Sequence, residues 1–182
     1  MEHRLKTPLS KEDVTSLRAG DLVWITGTIY TARDEVHAHH RSCGNLPIDL
    51  EGAVLYHCGP LIKDGLVISA GPTTSSRVAR YTKDVVDRGV RAMIGKGGIS
   101  EAVEDLRGKA VYLAYPGGCG ALAAKTLQVK GIHLEDLGMA EALWELEAND
   151  FGPMIVAIDS FGKDLYEVAK RSSKKAKGNA IG

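Results

Sequence analysis

The chain predicts a mixed α/β fold, and three observations point there. Its first half, through Thr74, is dominated by runs of β-branched and aromatic residues punctuated by Gly and Pro. Its second half alternates such runs with stretches of helical periodicity. Its 182 residues, 44% hydrophobic and 25% charged, are enough to bury a core without disulfide or metal staples. Residues 1–170 read as one domain, and 171–182 as a basic, flexible tail.

The elements follow in order. "LSKEDVTSL" predicts a helix with Ser10 as N-cap and Asp13 where a capping box places an acid. "DLVWITGTIYTA" predicts a strand, and "RDEVHAHHR" after it a polar helix start or loop. "GAVLYHCGPLI" and "GLVISAGPTT" predict two further strands, with turns at Gly59-Pro60 and Asp64-Gly65. "SSRVARYTKDVVDRGV" carries Val78, Tyr81, Val85 and Val86 near helical spacing, so a helix is expected from Thr73 or Thr74 onward. "RAMIGKGG" predicts a short strand entering a glycine loop, and "SEAVEDLRG" a helix closed by Gly108. "AVYLAYPGG" predicts a buried strand and "CGALAAKTL" a helix of small residues. "MAEALWELEAND" predicts a helix, "GPMIVAIDSFG" a strand and "KDLYEVAKRSS" a closing helix.

Several function classes lose support from composition alone. Formal net charge is zero, which gives no bulk attraction to nucleic acid or to an anionic membrane. No apolar run approaches the roughly 20 residues that span a bilayer, and the start is polar without a signal-peptide core. The expectation is a soluble, cytoplasmic protein. Cys43, Cys58 and Cys119 are widely spaced and form no CxxC pair, so no zinc site or disulfide framework is indicated.

The chemistry-bearing residues sit at strand ends. In "GPTTSSR", a strand runs into Gly71-Pro72, and Thr73 and Arg77 are four apart, which on a helix puts them on one face. A helix start there would offer unpaired N–H groups to a carboxylate, with a guanidinium able to grip it bidentately. The bland alternative is a capping Thr73 and a solvated Arg77. "IGKGG" sets Lys96 between glycines, where a ligand can approach the backbone, although an exposed loop lysine is the ordinary reading. It is not a P-loop, because the GxxxxGK[ST] order is absent. "TARDEVHAHHR" gathers Arg33, Asp34, His37, His39, His40 and Arg41, with Asp34 placed to steady Arg33 or His37. No HExxH occurs, and metal ligation is not expected of this chain. "YPGGCGALAAK" lacks the GxGxxG order of a dinucleotide site. Two arginines, a lysine, a hydroxyl and a histidine are the equipment for binding a dicarboxylate.

"TGTIYTARDEVH", "GPTTSSR", "IGKGG", "AYPGGCGALAAK" and "GMAEALWELEANDFGPMIVAIDSFGKDLYE" occur in that order. Together they resemble the β subunit, or C-terminal domain, of class I fumarate hydratases and the related L-tartrate dehydratases, from about Leu9 to about Lys170. The resemblance implies a swivelling β/β/α fold. It implies an α subunit as partner, carrying a [4Fe-4S] cluster, an active site between the two subunits, and an α2β2-like hetero-oligomer. The reaction implied is reversible hydration of fumarate to (S)-malate, or dehydration of an analogue such as L-tartrate or a mesaconate-type acid. Carried over by position, Arg33 binds a substrate carboxylate, Thr73 sits at the carbon that loses its proton, and Arg77 and Lys96 complete the clamp, with Thr74, Asp34 and His37 beside them. His39 or His40 stands where the family commonly has Arg or Lys.

Two other readings stay open on the sequence. The chain can be a dicarboxylate-binding module without catalysis. Or Cys43, Cys58 and Cys119 can themselves supply the three thiolates of an open-iron cluster.

Overall fold

The computed structural model of the chain describes residues 1–178. Among the described residues there are nine strands: β1 Glu2–Lys6, β2 Leu22–Thr31, β3 Val54–Tyr56, β4 Leu61–Lys63, β5 Leu66–Ser69, β6 Ala92–Gly95, β7 Val111–Ala114, β8 Leu127–His133 and β9 Leu143–Ile158. Six α-helices accompany them: α1 Lys11–Ser16, α2 Asp34–Cys43, α3 Thr82–Val86, α4 Val103–Leu106, α5 Gly120–Ala124 and α6 Leu165–Gly178. The basic segment from residue 171 is thus helical through Gly178, and residues 179–182 lie outside the described residues.

Seven strands form one sheet in the order β1-β2-β3-β6-β7-β9-β8. β2, β3, β6 and β7 run parallel. β9 is antiparallel to β7 through its C-terminal part and to β2 along most of its length. That second pairing closes β2, β3, β6, β7 and β9 into a barrel-like ring, with β1 and β8 on its flanks. The fold is mixed α/β, as the alternating second half predicted.

The parallel strands β3, β6 and β7 are buried on both faces, which explains their unbroken apolar runs. Val54, Tyr56, Ala92, Ile94, Val111 and Leu113 join Ile25, Ile29, Leu146 and Phe151 in one core cluster. The alternate residues Leu55, Met93 and Tyr112 belong to a second cluster with Val36, Val85, Val86 and Leu106 from the helices. Period-2 alternation thus distributes each strand between a barrel interior and a strand–helix layer.

Several predicted elements stand. Ser10 accepts from the Asp13 N–H at 3.0 Å and donates its own N–H to the Asp13 carboxylate at 2.8 Å, which is the capping box. The polar stretch after β2 is the helix α2, closed by Gly44 at φ +79°.

Three predictions are corrected. No helix begins at Thr73: Thr74 is extended, and a 3-10 turn covers only Ser75–Arg77. A second 3-10 turn, Ala79–Tyr81, precedes the five-residue α3, so the expected continuous helix is broken into three pieces. The stretch "MAEALWELEAND" is not a helix; from Leu143 it is the first half of β9. Leu and Glu favour helices, but burial here alternates, with Trp144, Leu146 and Ala148 buried and Glu145 and Glu147 half-exposed. On the outer face Lys130 of β8 pairs with Glu145 at 3.3 Å and Glu147 at 3.4 Å, so cross-strand pairing overrides intrinsic propensity.

Candidate functional site

The loops leaving β2, β3, β6 and β7 all emerge at the same end of the parallel part of the sheet, because those strands run in one direction. Arg33 follows β2, His57 follows β3, Lys96 follows β6 and Gly117 lies three residues beyond β7. The carboxyl ends of parallel strands are where α/β sheets bind ligands, since their loops converge there without disturbing the core.

Thr73 reaches this end by a different route. It comes from the hairpin β4–β5 and is pinned to His57, whose carbonyl accepts the Thr73 N–H at 2.7 Å and the Thr73 hydroxyl at 3.0 Å. The next residues bridge to β6: Lys96 N–H donates to Thr73 O at 3.1 Å, Ser75 N–H donates to Lys96 O at 3.0 Å, and Thr74 and Lys96 form a parallel bridge. Thr73, Thr74 and Lys96 are therefore neighbours by backbone pairing, not by helix geometry. Lys96 itself is exposed, its stem lies close to Gly117, and it makes no salt bridge among the described residues.

The other predicted residues form a second, adjoining group. Arg33 is the N-cap of α2, and its Nη2 lies 3.1 Å from Glu141 Oε1. The second Glu141 oxygen accepts the Glu35 N–H at 3.1 Å, so one carboxylate holds both the guanidinium and the first turn of α2. Gly59 makes room for Arg33: a Cβ at position 59 would lie 2.5 Å from Arg33 Nη1 and 2.7 Å from the Ala140 carbonyl. Asp34 accepts from Arg77 Nη2 at 2.9 Å, and this ion pair ties α2 to the turn that follows Thr74. The shared helical face expected for Thr73 and Arg77 does not exist; Arg77 is oriented by Asp34 instead. Arg33 is also more embedded than a strand-end loop residue suggested, with its Nε buried and without a hydrogen-bond partner among the described residues.

His37 is buried one turn into α2, its ring stacked on Tyr81 at 5.6 Å and edge-on to His57 at 5.6 Å. Burial lowers its pKa to about 4, reinforced by His40, and burial lowers that of His57 to about 3, reinforced by His37. Both imidazoles are neutral in the folded protein near pH 7. From the ordinary value of 6.5 down to about 4, the unfolded chain takes up protons that folded His37 refuses. The unfolded state then binds more protons, so stability falls as pH drops through that window. The urea midpoint is expected to fall between pH 7 and pH 5, and His37→Phe to lessen that fall. A wild-type midpoint independent of pH over this range contradicts a buried neutral pair.

Sequence reading missed His57, Ser75, Tyr112, Gly59 and Glu141. His57 looked like a strand residue, although its place after "VLY" at a strand end was the available signal. Glu141 was hidden by the helix assigned to its segment.

The three cysteines do not fit an iron–sulfur cluster. Cys58 is buried and burial pushes its thiol up to about 12, against the pull of Arg33. Cys43 is exposed at the end of α2 and Cys119 stands before α5. Among the described residues no group of three or more His, Cys, Asp or Glu side chains is placed to hold a metal. Among those residues, too, no helix is long and apolar enough to cross a membrane.

Comparison with known proteins is consistent over most of the chain. The family described as Fumarase C-terminus matches residues 2–169. A Methanocaldococcus jannaschii protein provisionally named L(+)-tartrate dehydratase subunit beta is 41% identical, over 96% of this chain and 96% of its own. The L(+)-tartrate dehydratase subunit beta of Escherichia coli K12 is 36% identical, over 94% of this chain and 90% of its own. A Geobacillus stearothermophilus protein provisionally named class I fumarate hydratase is 38% identical, over 93% of this chain but only 34% of its own length. With a family match over nearly its full length, the chain belongs to the Fumarase C-terminus family.

Proposed function

We propose that the chain is the β subunit of a hydro-lyase that hydrates fumarate reversibly to (S)-malate, and that it supplies the carboxylate clamp and part of the proton transfer. The observation that carries this reading is the backbone pairing of Thr73 and Thr74 with Lys96 at the strand ends, beside a group that holds Arg33 and Arg77. A second reading, dehydration of L-tartrate, is favoured by the relatives matched end to end, which carry the name of tartrate dehydratase β subunits.

Either reaction makes or breaks a C–H bond next to a carboxylate, and negative charge builds on that carboxylate as the proton leaves. Lys96 ammonium and the Arg33 and Arg77 guanidinium groups, preorganised around it, stabilise that charge most where water is excluded. Arg33 and Arg77 are each oriented by a carboxylate, and among the described residues their other N–H groups have no partner and are open to substrate. Thr73 works as a relay. Its hydroxyl proton rests on the His57 carbonyl, which leaves oxygen lone pairs open to accept. A carbonyl cannot take up that proton, so the relay needs a base, proposed here to be a carboxylate of the partner subunit. The same partner α subunit is the proposed carrier of the [4Fe-4S] cluster, whose chemistry there is to help the hydroxyl group depart.

Anaerobic co-expression with a three-cysteine α partner, assayed on fumarate, L-tartrate and mesaconate, tests this reading. The pair is expected to turn over one of these acids, while this chain alone stays colourless and inactive. A brown, iron-bearing preparation of this chain alone overturns the division of labour, and a reconstituted pair inactive on all three acids overturns the hydro-lyase assignment.

A further inference from the structure

Behind the Thr73–Lys96 pairing lies a line of buried side chains with no role assigned so far. His57, Ser75 and Tyr112 are 2%, 0% and 0% exposed. His57 Nδ1 lies 2.8 Å from Ser75 Oγ, Ser75 Oγ lies 2.9 Å from the Tyr112 hydroxyl, and that hydroxyl lies 2.8 Å from Gly97 O. The space is kept clear by Gly95, where a Cβ would stand 1.9 Å from Ser75 Oγ and 3.1 Å from both His57 Nδ1 and the Tyr112 hydroxyl.

Counting protons gives the line a direction. The Tyr112 hydroxyl has one proton and two oxygen neighbours. Gly97 O can only accept, so the Tyr112 proton goes there. Tyr112 also lies in donating geometry to Ser75 Oγ, but its one proton is taken by Gly97 O, so this contact is made by the Ser75 proton, and the remaining one by His57, which donates from Nδ1 to Ser75 Oγ. The chain runs one way, from the His57 N–H through two hydroxyls to the Gly97 carbonyl. Its two ends are the ends of the candidate clamp. His57 is the residue whose carbonyl holds Thr73, and Gly97 directly follows Lys96.

We propose that His57, Ser75 and Tyr112 are positioning residues: a directed hydrogen-bond chain that fixes His57 as its Nδ1–H tautomer and holds Thr73 and Lys96 in register. The inference deepens the hydro-lyase reading, but its geometric half stands independently of it. None of the three side chains needs to touch substrate. They act through the backbone groups that carry Thr73 and Lys96.

Two measurements on the full chain test the geometry without any substrate. In 15N-histidine NMR spectra, His57 is expected to carry its proton on Nδ1; a proton on Nε2 instead overturns the direction of the chain. In Tyr112→Phe, which keeps the ring, and in Ser75→Ala, the amides of Thr73, Ser75 and Lys96 are expected to exchange about tenfold faster than in wild type, while those of Ile25 and Ile29 are unchanged. Unaltered exchange at Thr73 and Lys96 in both variants overturns the holding role.

In the reconstituted enzyme, both variants are expected to lower kcat about tenfold with KM within about threefold of wild type. The comparison is Ile29→Val, a loss of packing inside the barrel that lowers Tm and leaves kcat alone. A kcat in Tyr112→Phe no lower than in Ile29→Val contradicts positioning and leaves only a structural role. If the pair is inactive on every acid, the hydro-lyase reading fails while tautomer and exchange still decide the chain.

Discussion

Thr73→Val in the reconstituted enzyme is expected to lower kcat by about 10²- to 10⁴-fold, the range lost with a proton-transferring group, with KM within a few-fold of wild type. The two side chains share one β-branched shape, so packing changes little. The fold also keeps its local hydrogen bonding. The His57 carbonyl accepts from both the Thr73 N–H and the Thr73 hydroxyl, and the N–H bond at 2.7 Å survives the substitution. What disappears is the hydroxyl alone, and a relay contributes mainly in the transition state. Steady-state kinetics beside a thermal melt check this. Near-wild-type kcat with an unchanged Tm removes Thr73 from the chemistry. Lys96→Ala is the companion variant for binding, because its exposed side chain contributes little to folding. Arg33→Ala is less informative, since Arg33 also anchors Glu141 and fills the space beside Gly59.

Gly95→Ala is expected to be the most damaging single methyl group in the protein. Its Cβ would overlap Ser75 Oγ at 1.9 Å, and the atoms around it are buried and hydrogen-bonded to one another, so none can simply swing away. Overpacking of this kind costs roughly 1–3 kcal/mol, before the broken hydrogen bonds are counted. Gly97→Ala gives a useful contrast. No heavy atom lies within 4 Å of a Cβ there, so only the strain of φ +74° is incurred. Denaturant midpoints of the two variants check the ordering. A Gly95→Ala protein as stable as Gly97→Ala contradicts the tight placement of Ser75.

The sequence made the fold class legible because buried parallel strands write themselves as unbroken apolar runs, as in "VLY", "AMI" and "VYL". It failed where a strand is made of helix-forming residues: "LWELEA" alternates in burial, but its Leu, Glu and Ala favour a helix until β8 and β2 pair on either side of it. β1, "EHRLK", and β8, "LQVKGIH", were passed over because each is interrupted by charge and has one half-wet face. At the candidate site, the residue types were readable but their arrangement was not. Thr73 and Arg77 looked like a helical pair, whereas long-range partners place them, His57 for one and Asp34 for the other. Glu141 and Tyr112 were invisible in sequence, because nothing local marks a residue that acts on a segment far along the chain.

A structure of the reconstituted enzyme with a bound C4 dicarboxylate tests the central claim most directly. The expected result places one substrate carboxylate within about 3.2 Å of Lys96 Nζ and of an Arg33 or Arg77 guanidinium nitrogen, with Thr73 Oγ1 beside the carbon that loses its proton. A dicarboxylate held by the partner subunit alone, with Lys96 and both arginines turned away from it, contradicts the clamp.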